Sequence, residues 1–227
     1  MPDFVAGRLD KSTHNVGHAD TGLASNVRMP WSLFDVHGRR KYLVPVERRR
    51  FLQAALSVGG PTASLRTVLA FCGPRVSEVL ALTPISIDDH NRTINFHTLK
   101  RRARVIRAVP VPRKLLDLLE AVHGYRAAQG DPARCGKRLW TFSRTTAWRR
   151  VRHVMEIAKN PTYVASPKAL RHAFGAASTL NGVSLAMIQK WLGHADVRTT
   201  TIYSTVIGNE ERVLARRQWK PLEGQLP

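Results

Sequence analysis

Residues Ser166 to Tyr203 read SPKALRHAFGAASTLNGVSLAMIQKWLGHADVRTTTIY, and this stretch decides how the rest of the chain is read. Ser166 is a good N-cap, and Pro167 follows at the first helical position, where its missing N–H costs nothing. Leu170, Phe174, Ala177 and Leu180 recur at helical spacing, and Asn181-Gly182 closes the helix. Lys168 and Arg171 are three apart, so they leave one face of the helix near its positive end, where an anion binds. Ser184 caps a second helix, with Leu185, Ile188, Trp191 and Leu192 inward and Gly193 as its stop. His194 is thereby set on a tight turn, and Asp196 is placed to cap a third helix that carries Tyr203. Cations at a helix start, a histidine on a turn and a nearby tyrosine are the parts needed to grip a phosphate and attack it.

Composition points the same way independently. The 227 residues hold 36 Lys plus Arg against 16 Asp plus Glu, a formal charge of +20. So large an excess repels itself unless the partner is a polyanion, either nucleic acid or an anionic membrane. The membrane reading is weak, because the longest uncharged runs contain Gly, Asn, Ser and Pro and none is a ~20-residue apolar span. The N-terminus, MPDFVAGRLDKSTHNVGHAD, carries no apolar core of a secretory signal. Cys72 and Cys135 are isolated and have no partners at metal spacing, which fits a reduced, cytoplasmic protein without structural zinc.

The basic residues fall in blocks. From His97 to Lys114 there are seven (Lys100, Arg101, Arg102, Arg104, Arg107, Arg113, Lys114) and no acids. Arg144, Arg149, Arg150 and Arg152 add four more around one predicted helix. Such blocks neutralise backbone phosphates and give salt-dependent, largely sequence-independent affinity. The competing reading is a solvated face, and the absence of acids over so long a stretch favours phosphate contact. Arg101, Arg102, Arg104, Arg149, Arg150 and Arg152 are therefore the candidate DNA contacts.

Helical pattern begins near Val46, with Phe51, Leu52, Ala55 and Leu56 in a first helix ended by Gly59-Gly60-Pro61. A second runs from Thr62, with Gly73 just past its end, and a third carries Val76, Val79, Leu80 and Leu82 up to Thr83-Pro84. The period then changes to two: Thr93 to Leu99 and Val105 to Val111 alternate and predict an antiparallel hairpin. Helices resume at Pro112 (Leu115, Leu118, Leu119, Val122) and at Thr146 (Trp148, Val151, Val154, Met155, Ile157). The fold class predicted is α+β, mostly helical with a small antiparallel β-sheet.

Taken together, these motifs resemble the tyrosine recombinase (phage integrase) family. Lys168-Ala-Leu-Arg171, Leu192-Gly-His194 and Tyr203 look like its second conserved box, H-x-x-R…L-G-H…Y. Gly73-Pro-Arg75-Val-Ser-Glu78-Val-Leu-Ala-Leu82 looks like its first, G-x-R-x-S-E-x-x-x-L, and Thr93 to Pro110 looks like the hairpin carrying its catalytic lysine, with Lys100 the only lysine there. The resemblance covers roughly residues 41–217 as a catalytic domain, leaving 1–40 as an N-terminal arm and 218–227 as a tail. With no room for the family's separate DNA-clamping domain, it looks like a compact member of the kind found among small bacterial recombinases.

The resemblance implies site-specific DNA recombination through a 3′-phosphotyrosyl intermediate, with neither ATP nor a metal or other cofactor. It assigns Arg75 and Arg171 to the scissile phosphate, Lys100 to protonating the departing 5′ oxygen, His194 to a hydrogen bond on the phosphate and Tyr203 to attack. A free phenol, with a pKa of about 10, is a poor nucleophile, and the surrounding cations and donors supply the remedy. Lys168 stands where most of the family has His; it can hold the phosphate as a point charge, or act as a base only when uncharged. His172, next to Arg171, is not put in that role. Implied partners are double-stranded DNA with inverted-repeat core sites and other copies of the chain, as a homotetramer, with Glu211 to Trp219 as a helix docking on a neighbour. Two alternatives remain: a type IB topoisomerase-like relaxing enzyme with the same chemistry, and a DNA-binding regulator that does not cleave.

Overall fold

The computed structural model describes residues 32–98, 105–205 and 215–216. Two helices, α1 (Pro45–Val58) and α2 (Gly60–Cys72), come first and are joined through Gly59. The sequence signals start the second helix at Thr62; it begins two residues earlier because Pro61 sits in the first turn, where a helix has no use for its N–H. In α1 the Glu47 carboxylate accepts from the Val44 N–H at 3.0 Å and pairs with Arg40, which closes the helix start. Phe51, Ala54 and Ala55 of α1 face the core, whereas Leu56, expected inward, is half exposed. The middle helix α2 is buried from Ala63 to Ala70 and packs on α1 and on the later helices α4 (Arg113–His123) and α7 (Pro167–Leu180).

The chain leaves α2 through Gly73, at φ 60°, where a Cβ would lie 2.8 Å from the Phe174 ring. Left-handed backbone and close approach together require glycine there. A single helical turn, α3 (Val76–Val79), follows, and then a three-stranded antiparallel sheet of β1 (Ile87–Asp88), β2 (Thr93–Thr98) and β3 (Val105–Pro110), in the order β1-β2-β3. The predicted hairpin is present, with Ile94 opposite Val109 and Phe96 opposite Arg107. Strand β1 is two residues long, too short for any periodic signal, and was not expected.

α4 is followed by a short α5 (Tyr125–Gln129), also unpredicted, which Asp89 holds by accepting from Tyr125 and from Arg126 at 2.9 Å. Helix α6 (Arg144–Ile157) starts at Arg144 rather than Thr146, because Ser143 is its N-cap and accepts from the Thr146 N–H at 3.1 Å. Its inward face is Ala147, Val151, Val154 and Met155; Trp148 and Ile157, expected inward, are 40% and 47% exposed.

Helix α7 and α8 (Leu185–Leu192) have the predicted limits, capped by the Ser166 and Ser184 hydroxyls at 3.2 and 3.4 Å. The third helix of this region, α9 (Arg198–Thr201), lasts only one turn. Asp196 does accept from the Arg198 N–H at 2.9 Å, but Tyr203 lies in the 3₁₀ turn Ile202–Thr205 that follows. Tyr203 belongs to the same core as Phe51, Leu65, Phe96, Trp140 and Leu170. Among the described residues no helix is long and apolar enough to cross a membrane. The hairpin tip with Lys100, most of Glu211 to Trp219, and residues 1–31 lie outside the described residues.

One buried ion pair ties sheet to helices. Arg107, on the inner face of β3, donates from Nη2 to Glu78 of α3 at 2.6 Å and from Nε to the Trp191 carbonyl of α8 at 2.8 Å. The paired side chains are 3% and 1% exposed. Truncating one member of such a pair leaves the other charge buried and uncompensated, at a cost of about 3–5 kcal/mol. Arg107→Met should therefore lose about 3 kcal/mol or more in urea unfolding. A loss below about 1 kcal/mol would show that Glu78 is adequately held by Arg75 alone.

Candidate active site

Helix α7 builds the site because Lys168, Arg171, His172 and Gly175 follow the i, i+3, i+4, i+7 rule and so share one face. Lys168 is exposed on the first turn; Arg171 and Gly175 are buried, and His172 lies between. The predicted pair of cations at the helix start is present, but its two members differ sharply in environment.

The guanidinium of Arg171 donates to the Gly73 carbonyl at 2.8 Å and to the Leu192 carbonyl at 2.7 Å. The first carbonyl lies just past the end of α2 and the second is the last of α8, so one side chain joins three helices. The carbonyls that end a helix lack partners within it and carry its negative end, which is why a buried arginine is stable there. Arg107 takes the adjacent Trp191 carbonyl, and Gly193, at φ 68°, lets the chain turn with the Arg107 side chain only 3.0 Å from where a Cβ would stand. Arg75 is the N-cap of α3; Glu78 accepts from its backbone N–H at 2.8 Å and from its Nη1 at 2.9 Å, leaving the side chain about one-third exposed.

His194 follows Gly193 on the turn after α8, as its spacing implied. Its Nδ1 bonds the buried Thr200 hydroxyl at 2.9 Å, and its ring lies parallel to that of Tyr203 with centroids 6.3 Å apart. That bond leaves Nε2 for a ligand. Tyr203 is fully buried. Its ring lies against the α-carbon of Gly175, where any Cβ would overlap it, and its hydroxyl meets His172 Nδ1 at 3.3 Å.

Burial and the gathered cations set the protonation states. Burial, with Arg75 beside it, lowers Arg171 to about 10, which still leaves it charged at neutral pH. Burial brings His172 down to about 3, helped by Lys168, Arg171 and Lys41, and brings His194 to about 3, helped by Arg171 and Arg75. Both imidazoles are therefore neutral at pH 7. Burial pushes the Tyr203 phenol up to about 12 against the opposing pull of Arg171, so it rests protonated.

Of the predicted site residues, Arg75, Lys168, Arg171, His194 and Tyr203 gather here, and Lys100, Arg101, Arg102 and Arg104 lie outside the described residues. Arg149 and Arg152 are exposed on α6, the latter 5.6 Å over the Trp148 ring. Arg150 is not presented to solvent with them: it donates to the Thr62 hydroxyl at 2.7 Å and stacks 3.8 Å over Phe142, which makes it a packing residue between α2 and α6. Within the basic block, Arg107 is buried and Arg113 pairs with Asp89 and Asp117 at 3.1 Å. His172, considered on the sequence but not put in the site, and Gly175, not singled out there, both lie on the Lys168–Arg171 stripe.

A helical body with one small antiparallel sheet, arginines from two motifs and a tyrosine seated among them define the tyrosine recombinase class of catalytic domain. The phage integrase family model matches residues 41–209, and the chain belongs to that family. It is similar to tyrosine recombinase XerC of Agrobacterium fabrum, 28% identical over 149 residues, covering 66% of this chain and 47% of that protein. It is similar also to tyrosine recombinase XerD of Pseudomonas aeruginosa, 31% identical over 150 residues, covering 61% and 47%. The chain spans about half the length of these curated relatives. Among solved structures, the XerA recombinase superposes with a TM-score of 0.65 at 27% identity, covering 78% of this chain and 64% of that one. The catalytic domain of bacteriophage HP1 integrase, at 21% identity and a TM-score of 0.55, shares the fold over 98% of its length.

The neutral histidines make stability depend on pH. Below 6.5 the unfolded chain protonates its imidazoles, while folded His172 and His194 resist until about 3. Unfolding free energy therefore falls as pH drops through that window. Between 6.5 and about 5, before unfolded carboxylates take up protons, each contributes at most about 1.4 kcal/mol per pH unit. His172→Gln should flatten the fall measured by denaturant unfolding; an unchanged slope would mean that folded His172 protonates freely.

Proposed function

We propose that this chain is a site-specific DNA recombinase that cleaves and rejoins DNA through a 3′-phosphotyrosyl link at Tyr203. The observation that carries the reading is the seating of Tyr203 against the α7 stripe, with the charge of Arg75 felt by Arg171 and His194 stacked beside the phenol. Two guanidinium forks suit the non-bridging oxygens, and His194 Nε2–H adds a donor. Tyr203 attacks phosphorus, the bond to the 5′ oxygen breaks, and the 5′ hydroxyl of another strand later displaces the tyrosine. Lys100 protonates the departing oxygen in this reading, and Lys168 adds a cation at the α7 start. The covalent link conserves bond energy, so the scheme calls for no ATP, and no metal or cofactor enters it. The names of the curated relatives support recombination over the relaxing enzyme and over a non-cleaving regulator.

Double-stranded DNA with inverted-repeat core sites is the proposed substrate, bound by the hairpin tip (Lys100, Arg101, Arg102, Arg104) and by Arg149 and Arg152 of α6. Strand exchange at paired sites calls for a homotetramer. A groove of about 390 Å³ between α1, α2 and α7, lined by Leu52, Phe71, Ala176 and Leu180 with Arg48 and Arg49 beside them, supports docking of the apolar side chains Val213, Leu214 and Trp219 of a Glu211 to Trp219 helix from a neighbour. Residues 1–40 serve as an arm and 218–227 as a tail around a catalytic domain of residues 41–217.

On a nicked suicide duplex bearing the site, wild-type protein should give an SDS-stable adduct and Tyr203→Phe none, with DNA binding retained. An adduct surviving in the variant would remove Tyr203 as nucleophile. Replacing Arg149 and Arg152 by Ala should lower the slope of log affinity against log salt by about two. Adding Arg150→Ala should change the slope little and stability instead. A slope unchanged in the double variant would mean that this face of α6 looks at solvent.

A further inference from the structure

We propose that His172 takes the phenolic proton from Tyr203 as the tyrosine attacks, a catalytic role that the motif pattern leaves unassigned. The inference rests on the DNA-cleavage reading above. Three observations carry it. The Tyr203 hydroxyl hydrogen-bonds His172 Nδ1 at 3.3 Å, within reach of direct transfer. Gly175 fixes the depth of the tyrosine, since its bare α-carbon is what lets the hydroxyl end of the ring (Cζ, Cε1, Cε2) come against α7, and this sets the hydroxyl beside the residue one turn earlier on the same stripe. The other two groups at hand are ill suited. Lys168, as an ammonium, has three donors and no acceptor. His194 has its Nδ1 engaged by Thr200 and its ring stacked parallel on the tyrosine, which suits it to donate to phosphate from Nε2.

The charge state agrees. Neutral at pH 7, His172 offers a lone pair on one nitrogen and a proton on the other. The groups facing it are Lys168 and Arg171 from its own helix, Lys41 from the segment before α1, and His194 from the turn after α8. The cations among them disfavour an imidazolium in the empty site. A bound phosphodiester brings negative charge to the same place and offsets them, so proton uptake by His172 is coupled to DNA arrival and the free protein does not expose a phenolate. In the step itself the Tyr203 O–H bond breaks, its electron pair forms the O–P bond, and the proton passes to Nδ1. The P–O5′ bond breaks, and its oxygen is protonated from the hairpin. On rejoining, the 5′ hydroxyl returns its proton to the hairpin as its oxygen bonds phosphorus. The P–O bond to Tyr203 breaks, the released tyrosine oxygen recovers its proton from His172, and nothing is oxidised or reduced.

The probe is a nicked duplex recovered from a randomised pool as a covalent adduct of the wild-type protein. Single-turnover cleavage is measured from pH 6 to 9.5 for wild type, His172→Gln and His172→Asn, each with Tyr203 and with 3,5-difluorotyrosine at position 203. Two replacements are used so that loss of fold in one leaves the other. The expected result is a deficit of about 100-fold or more at pH 7, shrinking by about tenfold per pH unit as hydroxide replaces the base. The acidic fluorophenol should cut the deficit below about tenfold, with DNA affinity unchanged. A deficit under about threefold at pH 7, or one constant across pH and untouched by fluorination, overturns the proposal and leaves His172 a packing residue. Failure of wild type to yield any adduct from the pool instead overturns the cleavage reading itself.

Discussion

The rest of the site depends on the Arg171 guanidinium holding the carbonyls of Gly73 and Leu192. Those two oxygens belong to segments far apart in sequence, and each ends a helix that would otherwise leave it unpaired inside the protein. Satisfying them with one rigid fork fixes the end of α2, and with it Arg75 two residues on, to the end of α8, and with it His194 two residues on. Arg107 makes the parallel connection from the sheet, through Trp191 and Glu78. The buried positive charge is tolerable because helix C-termini and one carboxylate surround it.

The same arrangement sets the resting state of Tyr203. The proposed nucleophile is not a poised phenolate: Tyr203 is buried, protonated and hydrogen-bonded to a neutral imidazole. Its segment is a single helical turn followed by a 3₁₀ turn, held by Asp196, Thr200 and the seat on Gly175 rather than by a long helix. Short elements of this kind open locally at low cost, which suits a buried hydroxyl proposed to receive a phosphate at its seat on α7.

Much of this was legible in the sequence where the signal is local. The serine caps at 166 and 184 and the glycine stops at 73 and 193 fixed helix limits to the residue. Where a boundary moved, a rule of the same kind explains it: Pro61 begins α2 instead of breaking it, and Ser143 begins α6 before its first apolar residue. What failed was the sorting of basic side chains by sequence block. Arg107 shares the parity of buried Val109, and Arg150 lies three residues from buried Ala147, so periodicity marked both as facing inward. Composition counted both in basic blocks and put Arg150, though not Arg107, among the candidate DNA contacts. His172 escaped for a related reason: next to Arg171 it reads as a neighbour, while on the helix it falls four residues after Lys168 and faces the tyrosine. That pairing needed the 3₁₀ turn Ile202–Thr205 to fold back onto α7, which no local pattern encodes.

The most direct test of the account is to digest the covalent protein–DNA adduct and identify the linked residue and the polarity of the link by mass spectrometry. The expected product is a peptide containing Tyr203, joined through its phenolic oxygen to a 3′-phosphate, with a free 5′ hydroxyl on the other fragment. Attachment to any other residue, or to a 5′-phosphate, would contradict it.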